Sequence, residues 1–177
     1  MRSIAIAIFC LTTATLSAQE PQFTRADTLR GANGPARAWW DVKFYDLEVE
    51  VIPNQQRLSG RNAITYLVLA AGDEMQIDLQ RPMTLDSLLF EGVSVPLRRD
   101  GDAYFGRLPA TQGPGEIHTV IAHFGGQPIV AVNPPWDGGY QWTSDGSGSP
   151  WVATSNQGLG ASVWWPNKDI QSEEPDS

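Results

Sequence analysis

The sequence has a single cysteine and two histidines, and it lacks the H-E-x-x-H pattern that supplies two zinc ligands in many metalloproteases. It also lacks a G-x-S-x-G segment, the turn that exposes a nucleophilic serine in many hydrolases. The one cysteine, Cys10, lies in the apolar run that begins the chain, so the folded part is not expected to contain disulfide bonds. These absences argue against a self-contained metalloprotease, serine hydrolase or thiol hydrolase.

Basic residues are also few. The chain has 12 lysines and arginines against 20 aspartates and glutamates, which gives a formal net charge of −8. An acidic protein is poorly suited to bind nucleic acid or an anionic membrane surface, because both repel negative charge. After the first apolar run, no segment approaches the length that a membrane-spanning helix needs. We therefore expect no nucleic-acid partner and no membrane span.

Residues 1–18 have the features of a secretory signal peptide. Arg2 provides a short positive region, and Ile4–Leu11 is a compact apolar run that is too short to cross a bilayer. Small residues follow in Leu16–Ala18, where cleavage is expected. The sequence therefore predicts an exported protein, either periplasmic or secreted.

The mature part has the period-two pattern of β-strands. Residues 19–40 are polar and rich in turn residues, which indicates a linker, and residues 41–177 form the predicted domain. In Phe44–Val51 apolar residues alternate with acids, which predicts a strand with one solvent-exposed face, whereas Ala63–Ala70 is apolar on both faces and predicts a more central strand. Further strands are predicted at Met75–Leu79, Leu85–Phe90, Val93–Leu97, Tyr104–Leu108 and Ile117–Phe124. This succession predicts an all-β fold, either a sandwich or a curved sheet.

From Gly125 onwards the alternation weakens, and glycine, proline and tryptophan become frequent. Five of the seven tryptophans fall between Trp136 and Trp165. A long loop of this composition is expected to be ordered. Its indoles could form a local core, stack on sugar rings or pack against a partner domain.

The two histidines, His118 and His123, are five residues apart on a predicted strand. Alternating side chains place such a pair on opposite faces of a sheet, so the two rings are not expected to bind one metal ion together. We therefore predict neither a metal site nor catalytic residues in this chain.

Several segments resemble the zinc aminopeptidases of the aminopeptidase N-like family, from about Asp41 to the end of the chain. The first are weak: Asp41–Leu47 is similar to the opening strand of the family, and Arg57–Asn62 is similar to the turn into its second strand. The sharper ones come later, in VIAHFGGQP, PPWDGGYQW and GLGASVWWPNKD followed by EEPDS. Their order and spacing resemble the exported bacterial branch of the family.

This resemblance implies a non-catalytic N-terminal β domain that packs on a zinc-binding catalytic domain of the same polypeptide. The zinc ligands, the general base and the zinc itself would belong to that domain, so residues 41–177 would be an incomplete β domain without activity of its own.

The resemblance also assigns one functional position. Family members carry glutamine or glutamate nine residues before the proline that matches Pro166, which is Gln157 here. A side-chain carbonyl at this position accepts hydrogen bonds from the free amino terminus of a peptide substrate. The resemblance also makes Trp164 and Trp165 packing residues and Asp169 a structural anchor. The alternative for Gln157 is that it has no role in substrate binding and only caps a turn.

A second hypothesis comes from a different class of protein. The chain could be a secreted, non-enzymatic β-sandwich that binds glycans through Trp136, Trp142 and Trp151. A downstream H-E-x-x-H segment in the coding DNA would favour the aminopeptidase hypothesis over this one.

The signal peptide generates the first testable prediction. When the gene is expressed in a bacterial host, we expect the chain to be cleaved near Ala18 and exported. Mass spectrometry of the purified protein measures the new amino terminus directly. Intact chains that begin at Met1 and stay in the cytoplasm would contradict the prediction.

Overall fold

The computed structural model describes residues 22–176, and the predicted signal peptide lies outside these residues. Two short helices come first, α1 (Arg25–Gly31) and α2 (Pro35–Ala38). None of the helices in the described part of the chain is long and apolar enough to cross a membrane. The strands that follow are β1 (Trp40–Ile52), β2 (Arg57–Val68), β3 (Gly72–Asp78), β4 (Thr84–Phe90), β5 (Val93–Ser94), β6 (Leu97–Asp100), β7 (Ala103–Gln112), β8 (Ile117–Gly126), β9 (Gly139–Ser144) and β10 (Pro150–Ser155). Short 3-10 helices cover Pro53–Gln55 and Ala161–Val163.

The strands form three antiparallel sheets. The largest has five strands in the order β1-β2-β8-β4-β5, a second has the order β3-β7-β6, and β9 and β10 form a hairpin. One hydrophobic core lies between them, since the same cluster of buried side chains draws Ile64 from β2, Ile77 from β3 and Tyr140 from β9. The all-β prediction is therefore confirmed.

The period-two pattern correctly located most of these strands. Along β1, Asp46, Glu48 and Glu50 are exposed, whereas the apolar residues between them are partly buried. Residues 63–68 of the apolar segment that predicted a central strand lie in β2, which pairs with β1 on one side and with β8 on the other. Leu69 and Ala70 follow the end of the strand and are exposed. A strand with neighbours on both sides loses more solvent contact than an edge strand, which explains its more continuous apolar character.

The structure corrects the predicted linker. Within residues 19–40, helix α1 begins at a capping box, in which the Thr24 side chain accepts from the backbone N–H of Asp27 and the Asp27 side chain accepts from that of Thr24. Leu29 and Ala36 pack with Ala103 and Phe105 in a second, smaller cluster. The segment looked like a linker because seven- and four-residue helices are too short to show a helical period.

The region after Gly125 also differs from its prediction as a loop, since it contains the β9–β10 hairpin. The turn between the strands is a tight one: the N–H of Gly148 donates to the carbonyl of Asp145, and Gly148 has a positive φ of 87°. Glycine at that position is what a three-residue hairpin loop requires. The strand pattern was hidden by the polar and small residues that alternate with Tyr140 and Trp142.

A segment that we call the strap, residues 164–173, crosses this framework and is held by buried polar groups. Lys168 is 5% exposed. Its ammonium donates to the carbonyl of Trp40 at 2.6 Å and pairs with Glu173 at 2.6 Å. The other oxygen of Glu173 accepts the backbone N–H of Val42 at 2.7 Å. The strap is therefore attached to the beginning of β1, where the carboxylate of Glu173 takes the place of a neighbouring strand.

A second buried ion pair joins α2 to β3 and the strap. The guanidinium of Arg37, which is fully buried, donates to the carboxylate of Asp78. That carboxylate also accepts from the amide of Gln76 at 2.9 Å and from the backbone N–H of Asp169 at 3.0 Å. Burial raises the pKa of Asp78, and the charge of Arg37 opposes that rise. No sequence pattern predicted this pair, because arginine and aspartate are usually exposed.

Removing one partner of this pair should be severely destabilising. We expect Asp78→Ala to lower the free energy of unfolding by about 3–5 kcal/mol, because the variant leaves the charge of Arg37 buried without a counter-ion. Denaturant unfolding followed by circular dichroism measures the change. The matched control is Asp100→Ala, which removes the exposed pair with Arg25 and should cost less than about 1 kcal/mol. Equal losses for the two variants would show that the buried pair is not the stronger constraint.

Candidate functional site

The candidate site is the turn that follows the hairpin. Strand β10 ends at Ser155, and the chain turns at once, with the N–H groups of Leu159 and Gly160 donating to the carbonyl of Asn156 at 3.1 and 2.9 Å. Gln157, the position that the family resemblance assigns to substrate binding, lies in this turn and is exposed. Its amide is therefore accessible to a group outside the described chain.

Three long-range contacts hold this turn in place. Arg30 of α1 donates to the carbonyl of Gly158. Gln80 donates to the carbonyl of Leu159 and, at 2.9 Å, to the hydroxyl of Ser162. These contacts are separated from the turn by 128 and 79 positions in sequence. The turn is thus positioned by the tertiary fold rather than by its own sequence.

Gly160 and Asp169 close the turn on its other side. The carboxylate of Asp169 accepts the backbone N–H of Ser162 at 3.1 Å and its hydroxyl at 2.5 Å. Gly160 has φ 78° and ψ 172°, a conformation that is essentially restricted to glycine. A Cβ at this position would also lie 2.2 Å from the Asp169 carboxylate. Asp169 therefore has the anchoring role that we expected for it.

Two openings adjoin the turn. A cavity of about 190 Å³ is lined by Arg37, Asp78, Ser162 and Asp169, among others, and a wider groove of about 540 Å³ is lined by Asp27, Arg30 and Gly158, among others. Hydrogen bonds from Thr24 lower the pKa of Asp27, which keeps that carboxyl ionised at the edge of both openings. Gln157 is not part of either wall. The structure thus brings negative charge near the turn but does not enclose Gln157.

The two histidines lie on opposite faces of β8, as predicted. His118 packs at 5.4 Å from Phe90, between ring centroids, on the face that carries the buried side chains Val120 and Ala122. His123 lies opposite Arg61 of β2 and lines an outer surface groove with it. No cluster of three histidine, cysteine, aspartate or glutamate side chains in residues 22–176 could hold a metal ion. The side chains of residues 22–176 therefore do not fit a catalytic zinc ion.

The five tryptophans between Trp136 and Trp165 divide into two groups. Trp142, Trp164 and Trp165 pack against the main core, which confirms the packing role expected for the last two. Trp136 and Trp151 are 72% and 60% exposed. Trp142 lies opposite Val152 and Trp151 lies opposite Thr143, so the two indoles are on opposite faces of the hairpin. Trp136, Trp142 and Trp151 therefore do not form one common platform.

No family model and no curated protein sequence matches this chain. Solved structures do match its fold. A substrate-bound mutant of the M1 zinc metallopeptidase of Deinococcus radiodurans, with the peptide Tyr-Ser-Ala, superposes with a TM-score of 0.61 and 21% identity over 78% of this chain. Yeast leukotriene A4 hydrolase bound to bestatin superposes with a TM-score of 0.60 and 16% identity over 85% of this chain. The matched part spans 31% and 23% of those two proteins. The chain therefore has the fold of the N-terminal β domain of M1 peptidases.

The positions of the histidines generate a prediction about zinc. We expect the purified chain to retain no stoichiometric zinc after dialysis, because two rings on opposite faces cannot coordinate one ion. Elemental analysis provides the measurement, and a variant that carries both His118→Ala and His123→Ala is the control. Bound zinc that disappears in the double variant would refute the prediction.

Proposed function

We propose that this chain is the N-terminal β domain of an exported zinc aminopeptidase, and that it helps to bind the amino terminus of the peptide substrate. In this proposal the domain packs on a zinc-binding catalytic domain of the same polypeptide and has no activity alone. The observation that carries the proposal is the similarity of the fold to M1 zinc metallopeptidases, one of which has a peptide substrate bound.

The geometry of the turn supports a binding role for Gln157. An exposed glutamine in a mobile loop would lose entropy on binding, and this loss weakens affinity. Gln157 instead lies in a turn held by Arg30, Gln80 and Asp169. Its side-chain carbonyl can accept a hydrogen bond from an ammonium group, which a peptide has only at a free amino terminus or a lysine. Such a contact would favour substrates with a free amino terminus.

The chemistry would come from the catalytic domain. Zinc polarises the scissile carbonyl and activates a water molecule when it is bound there. The present chain would contribute recognition and one wall of the cleft. The groove beside the turn is lined by Asp27 and Asp169 and by one basic residue, Arg30, so it keeps an excess of one negative charge that favours an approaching ammonium.

The glycan-binding module is the alternative. Because Trp142 is packed inward, such a module would have to use Trp136 and Trp151 alone. The coding DNA after Ser177 separates the two proposals most simply. An H-E-x-x-H segment in the same reading frame supports the aminopeptidase, and its absence together with retention on a polysaccharide column supports the glycan-binding module.

The role of Gln157 can be tested in the polypeptide that joins this chain to its catalytic domain. We expect Gln157→Ala to reduce kcat/KM about ten- to hundredfold, since a hydrogen bond to a charged group contributes about 1.5–3 kcal/mol. Gln157→Glu should retain more activity than the alanine variant, because a carboxylate also accepts from an ammonium. Steady-state kinetics on aminoacyl reporter substrates provides the measurement.

Thermal melts provide the control for this experiment, because an exposed turn residue should hardly affect folding. Unchanged kinetics in Gln157→Ala would show that the residue only shapes the turn. A large fall in melting temperature that accounts for the lost activity would lead to the same conclusion.

A further inference from the structure

The hairpin leaves one strand edge open, and the hydrogen bonds around it define which backbone groups point outwards. The N–H of Asp145 donates to the carbonyl of Ser149, so these two residues form a hydrogen-bonded pair at the turn. Hydrogen-bonded and non-hydrogen-bonded pairs alternate along an antiparallel ladder. In the observed register, Trp151 and Ala153 therefore bond to β9, whereas the backbone groups of Val152 and Thr154 face away from it.

The hydrogen bonds of Tyr140 lead to the same assignment of outward-facing residues in β10. Tyr140 of β9 uses its N–H and its carbonyl for bonds to Ile129 and Ala131, on the side away from β10. Its partner across the ladder is Thr154. The pair is thus a non-hydrogen-bonded one, and the N–H and carbonyl of Thr154 point to the outer edge of the hairpin. Among residues 22–176, no backbone group pairs with this edge.

The outer edges of β1 and β10 differ in charge. The outer edge of β1 carries exposed Asp46, Glu48 and Glu50, which would repel a second acidic chain. The hairpin and the turn after it, residues 139–160, contain a single charged residue, Asp145. Its carboxylate is already bonded to Ser147 and Ser149 within the turn. For a chain with net charge −8, a second copy can therefore approach the β10 edge with less repulsion than the β1 edge.

We infer that β10 pairs with β10 of a second copy in an antiparallel, two-fold symmetric arrangement centred on Ala153. In this register Val152 of each copy lies opposite Thr154 of the other, and the two pairs exchange four backbone hydrogen bonds. By symmetry, the second copy has the same outward-facing residues, Val152 and Thr154, which is the condition for an isologous interface. The result is a four-stranded sheet that joins the two hairpins.

The same register accounts for the two most exposed tryptophans. Trp151 of one copy lies opposite Ser155 of the other, on the face that points away from the core. The Ser155 hydroxyl donates to the carbonyl of Pro135 at 3.1 Å, which attaches the loop containing Trp136 to that position. Each Trp151 therefore meets the Trp136 loop of the other copy, and both indoles lose solvent contact. Burial of large aromatic surface is a major source of interface stability.

Sedimentation equilibrium of the purified chain tests the inference. We expect the chain to form dimers, and Thr154→Pro to weaken association at least about tenfold, because two of the four backbone bonds lose their donors. Proline is tolerated where the N–H of an edge strand faces outwards, so the hairpin should remain folded. Thr154→Val keeps the N–H and should associate like the unmodified chain.

A charge-swap experiment tests the symmetry. Because Ala153 lies opposite its own copy, Ala153→Asp and Ala153→Lys should each be monomeric, and an equimolar mixture should form a heterodimer. Circular dichroism melts check that all variants are folded. A monomeric unmodified chain, open-ended aggregation, full association of the proline variant or a mixture without heterodimers would each overturn the inference.

Discussion

The structure depends most on the buried carboxylate of Asp78. Helix α2, the edge strand β3 and the strap meet at this carboxylate, since Asp78 accepts from Arg37, from Gln76 and from the backbone N–H of Asp169. A buried ion pair is stabilising only when its remaining polar groups are also satisfied, because two desolvated charges are costly. Here the carboxylate has three protein donors, and Arg37 also donates to the carbonyl of Ala32 at 2.9 Å. The Nε of Arg37 has no partner among the described residues, so the satisfaction of the pair is nearly but not fully complete.

This constraint extends from the core to the surface. Asp169, whose N–H bonds to Asp78, uses its own carboxylate to hold Ser162, and Ser162 in turn bonds to Gln80. Gln80 then donates to the carbonyl of Leu159, two positions from Gln157. A chain of hydrogen bonds therefore connects a buried charge to the exposed turn that contains Gln157, and the position of the turn depends on that buried network.

The parts that sequence predicted and the parts that it missed have different physical origins. Strands such as β1 and β2 were visible because burial of one face imposes a period of two. Arg37 and Lys168 were missed because their burial depends on partners that are distant in sequence, and a local pattern contains no information about those partners. Helix α1 was missed because one capping box and seven residues give too short a pattern. Gln157 was singled out only through family resemblance, since glutamine in a glycine-rich turn has no chemical signature of its own.

The turn that contains Gln157 and the open edge of β10 are neighbouring surfaces. Gln157 is two residues beyond the end of β10, so a catalytic domain that closes over the turn must also approach the open strand edge and Trp151. Such a domain would compete with a second copy for the outward backbone groups of Val152 and Thr154, so docking of the domain and pairing between hairpins would exclude each other. Strand β10 is six residues long and begins with Pro150, and both features limit unwanted pairing at an edge. The outward backbone groups of Val152 and Thr154 have no such protection, and the two arrangements are alternative ways of covering them.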